Sequence, residues 1–253
     1  MKYPALARER RHTVFFLREI RGFSPVFLDT EVDMTSVLRH RSEQRDLGVR
    51  YSVVAYVVHA AGRTLAKHPE ANAAVRGGVN PRLARLDGVD AKVTFDKTLN
   101  SVRVVLSAVL PGVSEASLEE IQRQLEYYRD GDPATMQEFA GARLLHRLPW
   151  TLGRLAFHSG VSPLRRRAQR FGSFAVTSLG HRPVDSFHSV GGTTVTLGVG
   201  RILDRPVVRE GNVVPAPILR LSLAFDHRVI DGAEAADVLA DLKEALEGFS
   251  ADV

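Results

Sequence analysis

The sequence predicts an α/β fold, a two-layer α+β sandwich in which a mixed sheet is covered by helices. Three observations predict it. Leu219, Leu221, Leu223 and Phe225 alternate with Arg220, Ser222 and Ala224, the period-two pattern of a half-buried strand. Directly after them Ala235, Val238, Leu239, Leu242 and Leu246 recur at helical spacing, with Gly248 as a stop. Elements of these two kinds exchange along all 253 residues, 44% of them hydrophobic, with no internal repeat or linker, so residues 1–253 read as one domain.

Taken in order, residues 5–22 set Arg8, Arg10, Arg11, Arg18 and Arg21 around Val14, Phe15, Phe16 and Leu17, an amphipathic helix or an arm on another subunit. Residues 26–32 alternate as a strand. Asp33 or Thr35 then caps a helix toward Asp46 that Gly48 ends. Ser52 caps a second helix with a stripe at Val53, Tyr56, Val57, Ala60, Ala61, Thr64 and Leu65, stopped by Pro69. Residues 76–98 are turn-rich and read as two short strands, and 102–110 as a further strand. Ser117 and Glu120 form a capping box for a helix through Tyr128. Residues 131–171 carry Met136, Phe139, Leu144, Leu145, Leu148, Trp150, Leu152, Leu155 and Phe157 at helical spacing, broken at Pro149, Gly153 and 160–163. They read as an insertion of two or three short helices packed on the domain. Strands follow at 174–180 and 193–199, with Ile202 beyond, and 210–212 turn the chain into the strand that reaches Phe225.

Composition removes several function classes. There are no cysteines, which excludes disulfides, thiolate metal sites and a cysteine nucleophile and fits a reducing, cytoplasmic setting. The start is basic, but its apolar run is too short for a secretory signal, and no stretch is long enough to span a bilayer. The net charge of +5 suits an acidic partner, including the polyphosphate of a cofactor like coenzyme A. Nucleic acid is not the expected partner, because no zinc-finger, basic-zipper or RNP-type spacing is present. Gly198–Gly200 lacks the G-x-G-x-x-G context of a dinucleotide site, and no G-x-S-x-G elbow marks a serine hydrolase.

One stretch carries chemistry. In 226–232, DHRVIDG, His227 and Asp231 stand in a tight strand-to-helix turn. An imidazole held there can serve as a general base, and the carboxylate can fix its tautomer or the turn around it. The residues from Asp226 to Glu247 resemble the signature of the catalytic domain of the dihydrolipoamide acyltransferases, the E2 components of 2-oxoacid dehydrogenase complexes. These share a fold and an H-x-x-x-D-G motif with chloramphenicol acetyltransferase. The aspartate before the histidine and the arginine after it favour the E2 branch. Further matches are Thr30, Glu31, Val32, Asp33 and Met34; LAKHPEANAAV at 65–75; FAVTSLG at 174–180; and GVGRILDRP at 198–206. The resemblance covers roughly Arg11 to Glu247. At 96–110 the chain departs from it, lacking a Gly-Leu pair and a strand proline.

The resemblance implies a chloramphenicol-acetyltransferase-like fold and a transfer of an acyl group between coenzyme A and a thiol. It implies His227 as base, Asp231 as local support and Thr177 in the place of the serine that stabilises the oxyanion. Ser178 beside it is the fallback and the candidate contact to coenzyme A. It further implies a homotrimer in which the histidine of one subunit faces the hydroxyl of the next, with no metal and no prosthetic group. Neither a lipoyl nor a subunit-binding domain fits within the sequence, so the lipoyl group is expected from another polypeptide, a lipoyl-domain or dehydrogenase-complex protein, or the acceptor is another thiol. The tail at 248–253 is a poor hook for a larger cage, since only Phe249 and Val253 are apolar and Asp252 would bury a charge. Two other readings remain: a non-catalytic assembly or regulatory subunit that binds a partner through the insertion, and a binder of nucleic acid or of anionic surfaces, membranes included, through Arg165, Arg166, Arg167 and Arg170.

Overall fold

The computed structural model describes residues 5–76 and 80–250, without the side chains of Arg165 and Arg166. The end of the tail, 251–253, lies outside the described residues, as do 77–79 within the stretch expected to hold two short strands. In chain order the elements are α1 (Arg11–Glu19), β1 (Pro25–Asp33), α2 (Thr35–Asp46), α3 (Val53–Lys67), β2 (Ala73–Arg76) and β3 (Arg82–Arg85). They continue with β4 (Ala91–Leu99), β5 (Val102–Leu110), α4 (Leu118–Asp130), α5 (Ala140–Arg147), α6 (Trp150–Val161) and α7 (Leu164–Phe171). The last are β6 (Phe174–Ser178), β7 (Val195–Arg209), β8 (Asn212–Asp226) and α8 (Gly232–Glu247).

Six strands form one mixed sheet in the order β1-β8-β7-β6-β4-β5, and β2 pairs with β3 in a separate ribbon. β6 runs parallel to both of its neighbours, and the other pairs are antiparallel. One face of the sheet carries the main core. Val32, Leu219, Leu221, Leu223 and Phe225 meet Tyr56, Val57, Ala61 and Leu65 of α3 and Val238, Leu239, Leu242 and Leu246 of α8. Each of these side chains is buried, so the periodicity read from the sequence is a record of burial.

The expected caps at Ser52 and Ser117 form as bonded groups. Ser52 Oγ accepts from the Ala55 amide at 3.2 Å, and Ser117 and Glu120 complete a reciprocal capping box. At α2 neither Asp33 nor Thr35 is the cap residue, which is Met34; Asp33, one residue earlier, accepts from the Thr35 amide at 3.0 Å.

Two expectations need correction. The region 76–98 holds two strands, β3 and β4, but β4 is nine residues long and not short, and β2 comes just before the region. The pattern there was hidden by Lys92, which is buried although it points away from Val93 and Ala91. The strand expected at 193–199 is the start of a fifteen-residue β7, continued across a bulge between Val199 and Ile202. The glycines and Pro206 interrupt the sequence signal without interrupting the ladder.

The segment 131–171 is largely helical. Its three helices pack with α1 of the same chain: Phe15 lies edge-on to Trp150 at 4.9 Å, and Arg11 donates to the carbonyls of His146 and Leu148 at 3.1 and 2.6 Å. Gly172, at φ +70°, ends α7; a side chain there would meet the Asp90 carbonyl at 2.8 Å, so glycine lets the helical segment return to the sheet.

Candidate active site

The turn after β8 is built around a buried carboxylate. Asp226 is the last residue of β8, and its side chain is 2% exposed. Its oxygens accept from Arg228 Nε at 2.9 and 3.2 Å, from Arg228 Nη2 at 2.6 Å and from the Arg228 amide at 3.2 Å. The Ser24 amide adds a longer contact at 3.4 Å. The guanidinium also lies over the Phe23 ring, 5.3 Å from its centroid. Such a bidentate, stacked arginine is rigid in a way a lysine is not.

His227 sits between these two residues. Its amide donates to the Ser24 carbonyl at 2.9 Å, which ties the turn to the chain entering β1. Its ring lies 5.4 Å from that of Phe225. Nδ1 is 3.4 Å from Asp231 Oδ1, and the imidazole is about half exposed. Asp231 itself is 89% exposed and begins α8 without a side-chain cap. The expected support from Asp231 is therefore a loose solvent-facing contact. The rigid carboxylate is Asp226, which in the sequence stands out only through the resemblance. Its signal was the pair of opposite charges flanking the histidine.

Thr177 stands elsewhere. β4 pairs with β6 only from Ala91 to Val93, and β6 ends at Ser178, so the sheet forks between β4 and β7. A cavity of about 710 Å³ occupies that fork. Val93, Phe95, Val104 and Leu125 give it apolar walls, and Arg10, Arg103, Arg129, Arg182 and His181 make its polar side basic. Arg103 forks onto Asp96 and holds that carboxyl below the usual carboxylate range. Thr177 and Ser178 both line this cavity. Strict alternation would have turned Ser178 away, but the strand stops there and the chain bends, with Ser178 Oγ accepting from the Gly180 amide at 3.4 Å. Arg10 and Thr13, just before and within α1, also line it, which the sequence did not foretell.

His227 is not among the lining residues. Thr177 is level with Gly198 and Ser222, two strands across, and His227 follows Ser222 by five residues. At about 3.3 Å per residue and 4.8 Å per strand, their Cα atoms are roughly 16–19 Å apart. A base and an oxyanion donor must each lie within about 3 Å of the atoms reacting at one carbonyl. The histidine turn and the hydroxyl-lined cavity are therefore two separate features of one chain. Gly198, between them on β7, admits no side chain: a Cβ would meet the Phe187 carbonyl and Ser222 Oγ, each at 2.3 Å.

The mixed sheet and its helices form a chloramphenicol-acetyltransferase-like fold. Chloramphenicol acetyltransferase superimposes with a TM-score of 0.52 at 15% identity, covering 96% of each chain. A probable dihydrolipoamide acetyltransferase of Listeria monocytogenes gives 0.70 at 18% identity, covering 100% of this chain and 96% of that one. The cubic core of a pyruvate dehydrogenase multienzyme complex gives 0.70 at 22%, covering 98% and 91%. In sequence, the model of the 2-oxoacid dehydrogenases acyltransferase catalytic domain matches residues 162–251. The acetyltransferase component of the Bacillus subtilis pyruvate dehydrogenase complex is 27% identical over 229 residues, 87% of this chain and 44% of that protein. The succinyltransferase component of the 2-oxoglutarate dehydrogenase complex of Haemophilus influenzae is 27% identical over 228 residues, covering 86% and 46%. The chain is thus similar to the 2-oxoacid dehydrogenase acyltransferase catalytic domains, by the family model over residues 162–251 and by the curated relatives at 27% identity. It spans about half the length of the curated relatives it matches.

Proposed function

We propose that this chain is an E2-like acyltransferase core that moves an acyl group between coenzyme A and a thiol, with His227 as general base. The observation that carries the reading is the separation of the half-sites: a fixed histidine turn and a cavity lined by Thr177, each incomplete alone. A homotrimer joins the His227 turn of one copy to the Thr177 cavity of the next. Phe249 supports a trimer over a cage, because its ring is already seated in its own chain, 4.9 Å from Tyr56 and 5.2 Å from His40.

The chemistry follows from the groups in place. With Nδ1 beside Asp231, Nε2 is the ring nitrogen left for the thiol. It takes the proton of the attacking thiol, and the thiolate adds to the thioester carbonyl. The Thr177 hydroxyl donates to the resulting oxyanion. Collapse breaks the original carbon–sulfur bond, and the imidazolium returns the proton to the departing thiolate. No net charge is left on the protein. The basic side of the cavity suits the phosphates of coenzyme A, and Ser178, which lines the same cavity, is the candidate contact to it. The acceptor thiol is dihydrolipoamide, with the lipoyl group carried by another protein of a dehydrogenase complex. A cysteine-free chain handling thiols fits the cytoplasm.

The test is acyl transfer from acyl-CoA to free dihydrolipoamide. His227→Ala should lower the rate by roughly two to four decades with an unchanged melting temperature. A variant as active as the parent removes histidine base catalysis.

A further inference from the structure

Charge is divided unevenly over this chain. Residues 5–22 and 131–171 carry 12 arginines and no lysine against 4 acidic residues, a balance of +8. Everything else, 22 basic against 25 acidic residues, comes to −3. The two segments form one layer, since α1 packs on α6 through Phe15, Trp150 and Phe157, and Glu19 pairs with His158 at 2.9 Å.

The positive charge of this layer is held but not neutralised. Among the described residues, none of its arginines forms a salt bridge with a carboxylate, whereas eight arginines elsewhere do. Arg11 and Arg143 donate to main-chain carbonyls, and Arg18 lies over the Trp150 ring at 5.2 Å. Arg147 and Arg154 are exposed. Beside them stand leucines that a water-facing helix would not choose: Leu17, Leu144, Leu152 and Leu155 are each more than half exposed. Leu152 and Leu155 lie one turn apart on α6 with Arg154 between them.

We propose that the face formed by α1, α5 and α6 docks on the surface of an anionic phospholipid bilayer. The arginines meet lipid phosphates, and the leucines enter the boundary between headgroups and acyl chains. Charge complementarity selects an anionic partner. The leucines select lipid over nucleic acid, whose phosphates offer nothing to an aliphatic side chain. Their spread over three short helices suits a fluid surface, which needs no fixed complementary shape. Among the described residues no helix is long and apolar enough to cross a membrane, and the contact proposed is with the surface alone.

The experiment is co-sedimentation of the whole protein with vesicles of phosphatidylcholine, pure or with one-third phosphatidylglycerol. Binding to the anionic vesicles alone is expected, weakening as salt is raised through the physiological range. Arg147→Gln with Arg154→Gln should weaken it about fivefold per arginine, roughly 25-fold together. Leu152→Ser with Leu155→Ser should also weaken it, while Arg39→Gln with Arg82→Gln, both exposed outside this layer, should not. No binding to anionic vesicles at low salt overturns the proposal, as does equal binding to neutral ones. Binding displaced by duplex DNA and indifferent to the leucine changes would make the surface a nucleic-acid site and overturn it equally. None of these residues belongs to the acyl-transfer site, so acyl transfer should persist in every variant.

Discussion

Replacing Arg228 by methionine would test whether the turn that presents His227 depends on the Asp226–Arg228 clamp. The perturbation leaves a carboxylate 2% exposed with only the Arg228 and Ser24 amides as donors. Breaking a buried pair by removing one partner costs about 3–5 kcal/mol. Arg228 is itself about one-third exposed, so water replaces part of the loss and the cost falls to about 2–3 kcal/mol. For a chain of this size each kcal/mol lowers Tm by about 2–4 °C, so a decrease of roughly 5–10 °C is expected. Asp226→Asn added to Arg228→Met should recover part of it, because the buried charge disappears with its partner. Acyl transfer should fall in the single variant, since the His227 backbone lies between the clamp residues. Differential scanning calorimetry and the transfer assay are read on the same samples. An unchanged Tm for Arg228→Met would refute the clamp as the organiser of the turn.

Other outcomes follow from the same structure. Thr177→Ala should lower transfer by about one to three decades, the weight of one oxyanion donor, while Thr177→Ser should be mild; the reverse order would remove the hydroxyl from the mechanism. His12 Nε2 lies 3.0 Å from the Val105 carbonyl, which can only accept, so His12 Nδ1 accepts from His146 Nε2 at 2.9 Å. Burial pushes His146 down to about 4 and lowers His12 as well. A proton then binds the unfolded state preferentially, so the pair's stabilisation is complete above about pH 6.5 and lost as pH falls toward 4. Amide exchange in α1 and α5, corrected for its intrinsic pH dependence, should be less protected at pH 5 than at pH 7.5; equal protection would contradict this. Light scattering with size exclusion should give a mass near three chains, and a cage-like particle would contradict the trimer.

Much of the fold was legible because one face of most elements is buried, so sequence period and burial coincide. The β8–turn–α8 unit and the caps at Ser52 and Ser117 are local in sequence and were read correctly. The full length of β4 is hidden in the sequence because Lys92 is a charged residue in a buried position, with Nζ donating to the Gly191 carbonyl at 2.8 Å and lying over the Phe16 and Phe171 rings. No alternation rule foresees that cage, which three distant segments build. His227 and Thr177 were named as candidates from their motif, but their separation was not visible until the register across β6, β7 and β8 was known. The clamp escaped notice for a related reason: Arg228 lies past the end of β8, and only the turn folds its guanidinium back onto Asp226.

The central claim is that a working site takes His227 from one copy and Thr177 from another. Subunit mixing tests it most directly. The His227→Ala and Thr177→Ala chains, each impaired alone, are unfolded together, refolded as a mixture and assayed for acyl transfer. If sites form between copies, roughly a quarter of them pair an intact histidine with an intact threonine, and activity should return to about that fraction of the parent. Activity of the mixture no higher than the mean of the two variants, in assemblies shown to contain both chains, would contradict a shared site.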